Sequence, residues 1–346
     1  MWKAPAIAVI GIAVLAGSAT FALHRYDASR SDMIAEGVSV AGVDVGGLHV
    51  EAAQAKLQRV IARRLDRPLT LTHAKRRFVV EAGLVDVHAD AAALAQAALA
   101  ESREGNFFTR AMRDLRGERL EADLPVPVEY SKEAVGRVVA GLRRAIDRPA
   151  REATSSVSLD GVQITPSQVG VAVRPRLLRR AIVNNLVRLD ADRRFAVPSK
   201  RLKPKVTTEE LRRRFHTFIA ISRSSRQLRL YIDLRLAKTY QVGIGTAGFE
   251  TPTGLHRITT KAADPAWYVP NKPWAGDLAG QVIPAGDPRN PIEARWMGFY
   301  AGAGIHGTSD IASVGTAASH GCIRMIPREV IELYERVPLD TPLYIA

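Results

Sequence analysis

The chain has 346 residues, 47% of them apolar, a formal net charge of +14 and a single cysteine. That length fits several domains rather than one core, and the apolar share excludes a collagenous or disordered chain. One cysteine excludes an internal disulfide, and the positive charge favours an anionic partner. Nucleic acid is disfavoured: no helix-turn-helix, zinc-finger spacing or aromatic RNA-binding motif accompanies the scattered basic residues. A wall polymer or an anionic membrane surface fits better.

The run from Ala4 to Leu23 carries no charge and is followed by His24 and Arg25. At about 1.5 Å per residue it is long enough for a hydrocarbon core of roughly 30 Å. Residues 1–25 are therefore expected to form a signal anchor, a transmembrane helix that ties the chain to the cytoplasmic membrane with its bulk exported and facing the wall. The small residues Gly17-Ser18-Ala19 and Thr20-Phe21-Ala22 leave cleavage and secretion as the alternative. Residues 26–35 read as a polar stalk.

From Glu36 to about Val206 a pattern recurs. "EAAQAKLQRVIARRLDRP" reads as an amphipathic helix stopped at Asp66-Arg67-Pro68, followed by β-like runs and a second helix. "SKEAVGRVVAGLRRAIDRP" repeats it to Asp147-Arg148-Pro149, 81 residues later, followed by "SSVSLDGVQITPSQVGVAV" and another helix. This order predicts duplicated α+β modules over 36–125 and 126–206. A linker helix over 207–215 follows, capped at Thr207 or Thr208, with Glu residues in its first turn. From residue 216 to 346 short alternating strands broken by turn residues predict a mainly-β domain. The whole is multidomain.

Chemistry concentrates in "IHGTSDIASVGTAASHGCIRM", Ile305 to Met325. It holds the only cysteine and two of the eight histidines. Acyl transfer by a thiol needs an ionisable sulfur, a base within hydrogen-bond reach and donors for the oxyanion. A free thiol is mostly protonated at neutral pH, and a neighbouring imidazole can take its proton. His320, two residues before Cys322, would leave an extended segment on the same face. His306, on the preceding strand end, can return beside Cys322 through a Gly/Ala/Ser-rich loop, and it is the favoured base. His320 would then shape the pocket. Gly321 allows close backbone approach, so that the N–H groups of Gly321 and Cys322 are candidate oxyanion donors. A zinc site from His306, His320 and Cys322 lacks a fourth ligand, and neither metal nor cofactor is expected. Trp267, Tyr268, Trp274, Trp296 and Tyr300 flank a Pro/Gly-rich stretch that reads as a loop or lid, each ring more suited to packing than to substrate contact.

"TPTG" at Thr251 to Gly254, "IHGT" at Ile305 to Thr308 and "SHGCIRM" at Ser319 to Met325 together resemble the catalytic domain of L,D-transpeptidases, the YkuD-type fold. "EGVSVAGVDVGGLHVEAAQAKL" likewise resembles the start of the peptidoglycan-binding module found upstream of such domains. The resemblance implies an L,D-transpeptidase-like β-sandwich over 216–346, Cys322 as nucleophile and His306 as base. Ser319, His320, Gly321 and Gly307 would complete the pocket, and Arg324 would bind a substrate carboxylate or form a structural ion pair. Some members carry Ser after the base histidine; with Gly307 here, only its backbone carbonyl could orient the imidazole. "NPIEARWM" has Glu293 where that family usually has Gly. The implied reaction joins peptidoglycan stem peptides: the cysteine takes the acyl group of a donor tetrapeptide, terminal D-alanine leaves, and an acceptor amine resolves the thioester. A carboxypeptidase, in which water resolves it, or a non-catalytic wall-binding scaffold are the alternatives.

Overall fold

The computed structural model describes the backbone of residues 4–346 and the side chains from residue 17 onward. It divides into two compact units, one of Met1–Arg148 with Val171–Arg201, the other of Pro149–Gly170 with Leu202–Ala346.

In the first unit, helix α1 (Ala4–Ser29) runs on past the apolar run. Its last turns lie against α4: His24 meets Phe107 edge-on at 5.5 Å, and Arg30 pairs with Asp114 at 3.4 Å. Asp27, only 7% exposed, accepts from Arg103 at 2.8 Å and Arg110 at 2.7 Å. Arg110 and Arg103 thereby hold its carboxyl below the usual carboxylate range. Among the described residues no helix is long and apolar enough to cross a membrane. The expected transmembrane helix, and membrane attachment through it, is thereby corrected. Hydropathy of the run from Ala4 counts only its own residues, whereas the helix continues into a polar segment docked by ion pairs. The side chains of residues 1–16 lie outside the described residues.

Helix α2 (Val50–Leu65) buries Ala53, Leu57, Ile61 and Leu65, the i, i+4 stripe of an amphipathic helix. The hairpin β1 (Leu69–His73) and β2 (Arg76–Val80) follows, then α3 (Ala91–Ser102) and α4 (Phe107–Arg116). Asp90 caps α3 and Asn106 caps α4 through their side chains, satisfying first-turn N–H groups. After α5 (Lys132–Ile146) the chain leaves for the second unit as the hairpin β3 (Thr154–Ser158) and β4 (Gly161–Thr165). It returns with α6 (Pro175–Val187) and β5 (Arg194–Ala196), which pairs parallel to β1. Leu69, Leu71, Val139, Leu142, Leu178, Ile182 and Leu186 share one core here.

The second unit, after its hairpin, continues with α7 (Thr208–Arg214), whose cap is Thr207, accepting from the Glu210 N–H at 3.1 Å. β6 (Thr217–Ser222), β7 (Gln227–Ile232) and β8 (Arg235–Gln241) form the alternating meander. With β9 (Gly254–Arg257) and the final strand, Pro342–Ile345, they make a five-stranded sheet. A second sheet, four-stranded, has the order β10 (Thr260–Ala263), β13 (Glu293–Tyr300), β14 (Ala303–Gly307) and β15 (Ile323–Met325). Between β10 and β13 the chain makes an excursion bearing the short pair β11 (Trp267–Tyr268) and β12 (Val282–Ile283).

Both sheets contribute to one core with helix α8 (Pro327–Arg336): Ile219, Leu228 and Leu343 from the first, Met297, Ile305 and Ile323 from the second, Val330 and Leu333 from the helix. Each fully buried aliphatic is worth about 1.5–3 kcal/mol, so this core fixes the strand ends that carry the chemistry. The mainly-β expectation for this part of the chain agrees with the structure.

Candidate active site

β14 and β15 run parallel, with Ile305 opposite Ile323 and His306 opposite Arg324. Extending the register by one residue sets Cys322, just before β15, across from Gly304. Residues 304, 306, 322 and 324 therefore leave the sheet on one face, because side chains alternate along a strand. A fifteen-residue detour joins them, because a parallel pair cannot be closed by a tight turn (about a dozen residues is the usual minimum). That detour, residues 308–322, carries the short turn Ile311–Ser313 and the strand Ala317–Ser319.

His306 is 4% exposed. Its Nδ1 lies 2.7 Å from the Gly307 carbonyl oxygen. A carbonyl only accepts, so Nδ1 carries the proton and Nε2 keeps the lone pair. Trp296, directly opposite on β13, stacks on the imidazole at 5.9 Å. Burial holds the imidazole neutral, with its pKa pushed down to about 4; the Gly307 carbonyl opposes that shift and the Arg324 charge adds to it. Gly307 itself is required by packing, since a Cβ there would stand 2.5 Å from the Glu293 carbonyl oxygen. Gly304 is required by Trp296, whose ring edge would lie 2.5 Å from an added Cβ.

Cys322 is half-buried, and its Sγ lies 4.0 Å from the Gly302 carbonyl oxygen. Burial pushes its thiol up, opposed by the Gly304 N–H and by the Arg324 guanidinium. Both members of the pair are thus neutral at rest: a low-dielectric site disfavours imidazolium and thiolate alike. Arg324 reaches Asp310 at 3.5 Å, an exposed and weak partner.

The turn before Cys322 is held by Ser319. Its hydroxyl donates to the Cys322 carbonyl at 2.6 Å and accepts from the Gly321 N–H at 3.2 Å. Gly321 has φ of +108°, a conformation that only glycine adopts without strain. His320 is exposed to solvent at its edge but clamped between rings: Trp274 stacks on it at 4.2 Å and 12°, and Phe249 meets it edge-on at 4.6 Å. Phe249 belongs to the loop before "TPTG". There Thr251, 1% exposed, accepts from the Gly245 N–H at 2.9 Å. Asn290 pins the base of the 264–292 excursion by donating to the carbonyls of Pro265 and Pro284, at 3.1 and 3.2 Å.

Of the residues singled out from the sequence, Cys322, His306, Gly307 and Arg324 lie together on the β14–β15 strands, with Ser319, His320 and Gly321 in the turn leading into them. Trp267 and Tyr268 lie on the excursion, and Tyr268 is 75% exposed. Sequence reasoning did not assign Trp296 to the histidine, nor find Phe249 or Gly304. The usable signal for Trp296 was its place on the strand preceding β14, where antiparallel pairing brings it opposite His306.

Comparison with known proteins gives the family to which the chain is similar. Residues 216–345 match the family model described as "L,D-transpeptidase catalytic domain", and residues 78–193 match "Putative peptidoglycan binding domain". The "Putative L,D-transpeptidase YqjB" of Bacillus subtilis is 33% identical over 134 residues, covering 37% of this chain and 70% of that protein. The "Putative L,D-transpeptidase YkuD" of the same organism is 34% identical over 124 residues, 36% of this chain and 62% of that one. A solved Enterococcus faecium L,D-transpeptidase is 15% identical with a TM-score of 0.34, covering 84% of this chain and 100% of that one. With the catalytic-domain match and the extent of the YqjB relationship, the chain belongs to the L,D-transpeptidase family, a family of cysteine-dependent enzymes.

Proposed function

We propose that this chain is an exported enzyme that cross-links peptidoglycan stem peptides, with Cys322 as nucleophile and His306 as general base. The observation that supports this best is the shared face of β14 and β15, on which Cys322, His306 and Arg324 stand within one strand step of one another. The Nδ1 hydrogen bond to Gly307 leaves Nε2 as the proton acceptor.

The resting pair is neutral, so the proton moves as the substrate is attacked. Sγ bonds to the acyl carbon of the donor tetrapeptide while His306 Nε2 takes the thiol proton. The backbone N–H of Cys322 faces the developing oxyanion, while the Gly321 N–H stays with the Ser319 hydroxyl and holds the turn. The carbon–nitrogen bond then breaks, the departing amine of D-alanine takes the proton from His306, and a thioester remains. An acceptor amine attacks that thioester, gives a proton to His306, and the thiol is released. Arg324 supplies positive charge beside the sulfur and suits a substrate carboxylate, since its partner Asp310 is exposed and loosely held.

The test is acylation by a carbapenem, read as intact mass. A single adduct is expected on the wild-type chain and none on Cys322→Ala. His306→Ala should retain its circular dichroism and lose adduct formation by about 10²–10⁴-fold, the range for a general base. Adduct formation on Cys322→Ala, or an undiminished rate in His306→Ala, would overturn the assignment. Muropeptide analysis then separates cross-linked products from trimmed tripeptides.

A further inference from the structure

The outward face of the small sheet in the first unit carries a basic groove that the catalytic chemistry does not use. β1 lies between β2 and β5, with Thr72 opposite Arg77 and Thr70 opposite Arg194. Leu69, Leu71 and Val80 point into the core, so Thr70, Thr72, Arg77, Arg194 and Ala196 share the other face. Together with Phe195 they line a cavity of about 310 Å³ that contains no carboxylate.

The arginines on either side of the groove divide by role. Arg76 donates to the Ala145 carbonyl at 2.7 Å and lies over the Phe78 ring. Arg193, 3% exposed, donates to the carbonyls of Leu65 and Arg67 and closes the end of α2. The guanidinium groups of their chain neighbours Arg77 and Arg194 make no hydrogen bond or ion pair among the described residues, and both residues are exposed. The two come from strands that flank β1 on opposite sides, two inter-strand spacings apart and offset by two residues along the strands, about 12 Å between backbones and within reach of one ligand between their long side chains. Guanidinium groups over a floor of threonine hydroxyls present only donors and hydroxyls, the complement of a carboxylate.

We propose that this groove is where the first unit holds peptidoglycan, gripping a carboxylate of the polymer between Arg77 and Arg194 over Thr70 and Thr72. The proposal rests on the reading that the chain acts on peptidoglycan, and it adds the site and the group recognised. Recognition by charge also makes the grip weaken with ionic strength.

The full chain bearing Cys322→Ala, which prevents turnover, is sedimented with purified sacculi stripped of accessory wall polymers. Arg77→Glu/Arg194→Glu should bind about tenfold or more weakly, the loss expected from two charge-assisted contacts. Arg59→Glu/Arg137→Glu, an equal charge change on exposed helix positions of the same unit, should stay within about twofold of the parent. Equal loss in both pairs, or no loss in the groove pair, would overturn the site. Amidation of the sacculus carboxylates by carbodiimide should abolish the difference. Undiminished binding to amidated sacculi, or binding only before accessory phosphate polymers are removed, would overturn the carboxylate. The groove pair with Cys322 intact should acylate with a carbapenem at the parental rate. Failure of the parent itself to acylate would sink the catalytic reading while leaving the sedimentation result to judge the groove.

Discussion

Trp296 lies against His306 with ring centroids 5.9 Å apart and planes inclined by 26°, and two residues lacking a Cβ, Gly298 and Gly304, clear the space for its indole. The half-buried indole covers one face of the buried imidazole. The other groups bearing on it are the Gly307 carbonyl and Arg324 on β15, with Cys322 just before that strand on the same face. Trp296→Leu should let water reach the ring, raise the acid limb of the acylation profile from near pH 4 towards 6.5 by about one unit, and slow acylation at neutral pH about tenfold. Trp296→Phe should restore both. A parental pH profile in Trp296→Leu would show that the stack is packing alone.

The same burial couples His306 to stability. Its folded pKa of about 4 lies below the ordinary value of 6.5, so the unfolded chain binds the extra proton first as pH falls. The contribution is whole above pH 6.5 and is lost between 6.5 and about 4. Its size is on the order of 3 kcal/mol. Urea midpoints measured from pH 7 to 4.5 should fall less steeply in His306→Gln than in the parent, and parallel curves would refute the assignment.

Gly321→Ala forces a side chain onto φ of +108° in the turn that presents Cys322. The strain costs about 1–3 kcal/mol and loosens the nucleophile. Carbapenem acylation should slow by about tenfold or more while the far-ultraviolet spectrum is kept. An unaltered rate would mean that the turn tolerates displacement of the sulfur.

Asp27→Ala leaves Arg103 and Arg110 without the carboxylate they share. Removing one member of a buried ion cluster costs about 3 kcal/mol, and Asp27→Asn should cost less because it keeps the acceptor oxygen. Chemical unfolding of the full chain measures it. A loss under about 0.5 kcal/mol would place the cluster with ordinary surface pairs.

The site was legible where its information is local. "SHGC" and "IHGT" mark the candidate nucleophile and the candidate base by composition and spacing, and alternation along the strands fixes their common face. Trp296 was not legible as a partner of His306, because its position depends on an antiparallel register interrupted between Glu293 and Trp296. The N-terminal helix misled for a similar reason. Hydropathy sees the run from Ala4 to Leu23 but not Asp27, whose arginine partners lie 76 and 83 residues away. The hairpin from Thr154 to Thr165 was readable as strands, while its membership in the second unit depended on contacts with residues some seventy positions downstream.

That hairpin makes the boundary between the units discontinuous along the gene. Tyr231 donates to the Leu159 carbonyl at 3.0 Å, and Val162 shares a core with Leu211, Phe215 and Phe218. A chain trimmed to start at residue 202 would retain every residue of the candidate site yet strip this apolar surface of its cover. Fragments designed on the catalytic motifs alone should therefore aggregate, and one that grafts residues 149–170 ahead of residue 202 should stay monomeric.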